Sequence, residues 1–242
     1  MNDVPLPEQS TRMPPPIAEV FTSLKDLVVE THFRWLTYRE LFANSPARVD
    51  LLNECASHFF AIIHDILLTD VQLNLCKATE PARSGKYENL SLEQLQERLV
   101  AHGESSLVQR CAHLLRQIQL LSHHIRDRRN KKLVHVDLAS ALGTSPTPLP
   151  SVTRQAIEDT LHAVRTYMNA IESHYHDAET AYEHSIINKG AAAIVARLQD
   201  SCRYREHIRA GRLPIDDRRY GREAGAEQHP VASATSALSS PP

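Results

Sequence analysis

Apolar residues recur along most of this chain at three- and four-residue intervals, the spacing that places them on one face of an α-helix. The first such stretch runs from Ile17 to Phe42 and carries Val20, Leu24, Leu27, Val28 and Trp35 on one broad face, stopping at Asn44-Ser45-Pro46. A second, from Ala47 to about Lys77, offers Leu52, Cys55, Ala56, Phe59, Ile62, Ile63, Ile66 and Leu67, a stripe read as the spine of the core. After a polar loop around Glu80 to Glu88, Ser91-Leu-Glu-Gln94 has the pattern of a capping box and opens a short helix to about Ala101. A fourth helix starts near Ser105, with Leu107, Cys111, Leu114, Leu115, Ile118, Leu121 and Ile125 forming its seam. A polar, proline-marked loop from Ala139 to Pro150 leads to a fifth helix, Ser151 to about Tyr175, and a sixth runs from about Gly190 to Arg209. No alternating strand pattern bounded by Asn-Gly or Asp-Gly turns occurs, so the expectation is an all-α, antiparallel bundle of five to six helices.

Composition changes the picture at the two ends. Residues 1–16 are proline-rich and residues 211–242 are rich in Gly, Ala and Ser, so disordered ends flanking one helical domain at 17–210 are expected. The first residues lack the basic head and apolar stretch of a signal peptide, and no apolar run was expected to reach the length of a membrane span. Cys55, Cys76, Cys111 and Cys202 form no C-x-x-C pair, and the first three fall in apolar helical patterns, as buried free thiols of a reducing compartment would. The expected location is the cytoplasm, with no membrane association and no cofactor or metal.

None of the seven glycines sits in G-x-G-x-x-G or G-x-x-x-x-G-K, which excludes the Rossmann and P-loop phosphate cradles. G-x-S-x-G and H-E-x-x-H are also missing, which removes the commonest serine hydrolase and metalloprotease designs. With a formal net charge of −2, a role on nucleic acid needs a local basic patch. Residues 126–137, R-D-R-R-N-K-K-L-V-H-V-D, supply one: Arg126, Arg128, Arg129, Lys131 and Lys132 precede His135. Their positive field suits a phosphate-bearing ligand. A solvated helix end gives the same composition, since cations also favour helix C-termini.

Arg129-Asn130 followed by His135 resembles the signature of the HEPN superfamily, an Arg, a polar residue, then His after four to six intervening positions. L-F-A-N-S-P-A-R-V-D-L-L-N-E-C from Leu41, the Phe59-Phe60 pair and E-N-L-S-L from Glu88 resemble its abortive-infection AbiU-type branch, and the resemblance spans roughly Leu41 to Asp137. It implies a metal-independent endoribonuclease, leaving 2′,3′-cyclic phosphate ends, that serves phage defence or toxin-like RNA cleavage. It also implies a homodimer with a composite site and an antitoxin or other defence-system partner. His135 would take the proton from a ribose 2′-hydroxyl, which attacks the adjacent phosphate and expels the 5′-oxygen. Imidazole suits that step because its ordinary pKa of about 6.5 lies near working pH and nearby cations favour its neutral form. Arg129 would hold the phosphate and stabilise its growing charge. Asn130 would orient substrate or fix the imidazole tautomer, Asp137 is a weaker candidate for that orienting role, and Arg126, Lys131 and Lys132 would bind RNA. A 2′-hydroxyl nucleophile requires RNA rather than DNA.

The bare spacing also admits Arg116 with His123 and Arg128 with His135. Arg116 and His123 lie seven apart in an apolar helix, so a structural role on one face is the better reading. On a straight helix Arg129 and His135 would stand about 120° apart, whereas Arg128 would share the face of His135. Either the helix breaks or Arg128 competes. Asp137 stands where one HEPN subtype has a tyrosine that a partner modifies, so that route of regulation is not expected. His174, Tyr175, His176 and His184 lack a carboxylate or thiol that completes a ligand set, and surface histidines explain them better. The stretch from Arg203 to Arg222, with Tyr204 and Tyr220, is diluted by Glu206, Asp216, Asp217 and Glu223 and reads as a solvated tail. Two alternatives remain beside the nuclease: a non-catalytic helical module that binds RNA or an acidic protein, and a purely structural dimerising protein.

Overall fold

The computed structural model describes residues 13–130, 152–184 and 190–212. The architecture is an all-α bundle, with seven helices among the described residues. Helix α1, Pro15–Tyr38, begins with a proline at a position whose amide has no helical acceptor, and it continues into a π-helical turn, Arg39–Ala43. Helix α2, Pro46–Ala78, starts where Ser45 accepts a hydrogen bond from the Arg48 amide at 3.3 Å. The guanidinium of Arg48 donates back to the Glu40 carbonyl, which fixes the corner between α1 and α2.

Residues 80–91 form the next connection. It contains a two-stranded antiparallel hairpin, β1 (Arg83–Ser84) and β2 (Tyr87–Glu88), that the polar composition concealed. Gly85 takes φ +62 at its turn, a conformation disfavoured for residues with a Cβ. Helix α3, Leu92–His102, is capped by Ser91, whose hydroxyl accepts from the Gln94 amide at 3.2 Å. Only that half of the capping box forms with its expected partner, because the Gln94 side-chain oxygen is buried without one among the described residues.

Helix α4, Ser105–Leu121, and helix α5, His123–Arg128, form the expected fourth helix, interrupted at the fully buried Ser122. Leu107, Cys111, Leu115, Ile118 and Ile125 enter the core, whereas Leu121 is exposed because Ser122, four residues after Ile118, takes the inward position. Helix α6, Arg154–His176, is capped by Thr153 and ends at Asp177, which adopts the left-handed conformation common at helix C-termini. After a short 3₁₀ turn, Tyr182–His184, comes helix α7, Ala191–Arg209.

One core joins Ile17, Leu24, Val28 and Trp35 of α1 to Val71 and Leu75 of α2, Leu95 and Leu99 of α3, Ile118 of α4 and Ile157, Val164 and Ile171 of α6. Buried polar groups are tied across it. Lys25 bridges to Glu172 at 2.5 Å, Thr180 donates to the other oxygen of Glu172 at 2.7 Å, and the Tyr167 hydroxyl reaches Gln96 at 3.2 Å. Compactness divides the chain between Ala196 and Arg197, within α7. The second unit contributes a mostly exposed helical end that includes Arg203 and Tyr204.

The stripe expected to be the spine of the core proves otherwise. Leu52 is buried, but Phe59 is 57 % exposed, Ile62 46 % and Ile66 56 %, and Ala56 is exposed as well. The face of α2 that packs inward is instead Phe60, Val71, Leu75, Cys76 and Ala78. A break in helical geometry at Ala56 (φ −165, ψ 68) separates the register of Leu52 from that of the later turns. Helix α2 is therefore apolar on two faces, and it is long and apolar enough to cross a membrane by length and composition, contrary to expectation. Its inward face packs on α1, as a core helix does.

Candidate active site at the end of the basic helix

The basic segment begins where α5 packs against the C-terminal end of α2. A helix C-terminus carries partial negative charge and unpaired carbonyls, so it attracts cations. The Thr79 hydroxyl donates to the Leu75 carbonyl at 2.8 Å, and the Thr79 carbonyl, at the helix C-cap, faces the neighbouring helix. Arg126 takes it at 3.5 Å and donates more closely, at 3.1 Å, to the Gln119 carbonyl across the interruption at Ser122. Arg126 thereby ties the ends of α2 and α4 together.

Three residues on, the Arg129 Nη1 donates to the Glu80 Oε1 at 2.9 Å, both side chains being about three-quarters buried. The Nε of Arg129 is buried without a partner among the described residues, and so is the Nε of Arg128. Cys76 lies beneath this cluster. Burial pushes its thiol up to about 11, although the charges of Arg129 and Arg126 pull in the other direction. Cys76 is therefore a neutral thiol, and Glu80 supplies the counter-charge to Arg129. Asn130 is exposed, and the chain widens from α-helical to π-helical geometry at Arg129 and Asn130. The guanidinium group of Arg129 is thus anchored at Nη1 by Glu80, and a planar, permanently charged group of this kind suits a phosphate.

Arg126, Arg128, Arg129 and Asn130 are thus gathered at one end of the bundle, while Lys131, Lys132, His135 and Asp137 lie outside the described residues. The competing pair, Arg116 and His123, is exposed. Arg116 donates to the Ala112 carbonyl of its own helix, and His123 approaches Asp127 at 3.5 Å. His174 lies 3.7 Å from Glu104, and among the described residues no group of three potential metal ligands occurs. Glu80 was not anticipated, because nothing in the spacing of the sequence connects it to a residue 49 positions away.

The model of the AbiU2 family of HEPN domains matches residues 17–191. The chain belongs to the AbiU2 family. The match runs from within α1 through α6 and covers the whole basic segment, so the Arg129 cluster lies within an AbiU2 domain. No curated protein and no solved structure matches the chain.

Proposed function

We propose that this AbiU2-family protein is a metal-independent endoribonuclease that works in the cytoplasm as a homodimer, in abortive infection or a related RNA-cleaving response with a defence-system partner. The observation that carries the reading is the anchored Arg129 guanidinium, set in the middle of a run of cations within a HEPN-family domain. Arg129 holds the scissile phosphate and stabilises the charge that grows on it. His135 removes the 2′-hydroxyl proton, the oxygen attacks phosphorus, and the 5′-oxygen leaves with a 2′,3′-cyclic phosphate behind it. Asn130 orients the substrate, Lys131 and Lys132 hold the adjoining backbone, and Arg128 or Asp137 supports the site.

The exposed face of α2 supports the homodimer. Phe59, Ile62, Ile66, Thr69 and Leu73 follow alternating spacings of three and four residues, the period with which one helix packs along another of the same kind. A two-fold contact places the same stripe on both partners, so a single self-complementary face is sufficient. Leu73 carries that face to within two turns of Glu80. Two α2 helices running the same way would draw the two Arg129 clusters together, as a composite site requires.

Arg129→Ala and His135→Ala test the reading on total RNA with chelator present. Both folded variants should lose cleavage by at least about a hundredfold. Full activity in either removes the proposal, and a wild type that shifts labelled RNA without cutting it identifies a binding module instead.

A further inference from the structure

We propose that Glu80 is a positioning residue for Arg129, holding the guanidinium in the orientation in which it meets the phosphate. The inference rests on the ribonuclease reading and adds a residue from outside the basic segment to it. Glu80 lies just after α2 and Arg129 just after α5, so their 2.9 Å contact ties together two chain segments that sequence keeps far apart. It is shielded, with about a quarter of each side chain exposed, unlike the freely solvated pairs that contribute little. Arg129 meets Glu80 through Nη1 alone. Glu80 fixes that corner, Cys76 lies in hydrogen-bonding contact with the same guanidinium, and the Nε edge is packed inside the protein, so the plane of the group is set.

Among the described residues, Glu80 is the carboxylate paired with Arg129. Cys76 is buried against the same guanidinium but keeps its proton, so it offers no charge. Arg126 donates to two main-chain carbonyls and does not compete for the carboxylate. Without Glu80, Arg129 retains its charge but loses its anchor. Preorganisation suffers more than attraction, and the effect falls on the chemical step.

The test is steady-state cleavage of a fluorogenic single-stranded RNA by the full chain, with Glu80→Ala, Glu80→Gln, Arg129→Ala and the double variant Glu80→Ala/Arg129→Ala. Glu80→Ala should lower kcat roughly ten- to a hundredfold while KM changes by less than about threefold. Glu80→Gln should recover most of that loss, because its amide oxygen still accepts from Nη1. Adding Glu80→Ala to Arg129→Ala should cost nothing further, since the group to be positioned is gone. A kcat per folded molecule that is unchanged by Glu80→Ala, or raised because the carboxylate had blocked Arg129, overturns the proposal. So does a loss in the double variant equal to the sum of the single losses. A wild type that cleaves no RNA ends both this inference and the ribonuclease reading, whereas an active wild type indifferent to Glu80 ends this inference alone.

Discussion

Replacing Ile62 by glutamate should convert a dimer into a folded monomer. Phe59, Ile62 and Ile66 expose 57, 46 and 56 % of their surfaces on the outer face of α2. Burying a large apolar side chain completely is worth about 1.5–3 kcal/mol, so three half-exposed residues on each of two copies contribute roughly 6 kcal/mol. Association itself costs an estimated 4–15 kcal/mol, which makes every residue of the seam count. Ile62→Glu removes about 1 kcal/mol from each copy and places two carboxylates in a drying contact, a combined penalty of roughly 4 kcal/mol or more. That corresponds to a dissociation constant raised about a thousandfold. Sedimentation equilibrium at micromolar protein reads the outcome directly. The helical circular dichroism should not change, because Ile62 contributes little to the monomer core. Val100→Glu, at an exposed residue of α3, is the control and should remain dimeric. A dimer indifferent to Ile62→Glu, or a wild type that is monomeric at a hundred times that concentration, refutes the reasoning.

Two further outcomes follow from the same structure. If the site is composite, mixing inactive Arg129→Ala and His135→Ala proteins and letting subunits exchange should restore about a quarter of wild-type cleavage, since half the dimers then carry one intact site; no recovery means that each site lies within one subunit. Burial lowers the pKa of His32 below its ordinary 6.5, while its ring nitrogen Nδ1 donates to the Val28 carbonyl at 2.9 Å and Nε2 is buried without a partner among the described residues. The unfolded chain therefore binds a proton that the folded one refuses. The associated stability is complete above the unfolded value and declines as pH falls from there toward the lower folded value. Thermal midpoints taken between about pH 7.5 and 5 should fall more steeply for wild type than for His32→Gln, and equal slopes would dismiss the role given to His32.

The helices were legible because their signals are local. Ser45 before Pro46, Ser91 three residues ahead of Gln94, and Thr153 ahead of α6 each make the hydrogen bond that starts a helix. The break at Ser122 and the hairpin at Gly85 escaped because they depend on packing and on a two-residue turn within a polar stretch. The stripe from Phe59 to Ile66 was misassigned for a deeper reason: periodicity marks a face that avoids water without saying whether the chain itself or another molecule covers it. The anchor of Arg129 was equally hidden. Residues of the basic segment stand out by composition, but the carboxylate that holds one of them comes from the end of another helix and has no sequence signature.

The most direct test of the central claim is the chemistry of the RNA ends. Wild-type protein incubated with a defined single-stranded RNA in excess chelator should yield 5′ fragments ending in 2′,3′-cyclic phosphate, detected by mass spectrometry, while His135→Ala and Arg129→Ala yield none. Intact RNA with wild type, 3′-hydroxyl ends, or equal cleavage by the His135 variant would contradict the account.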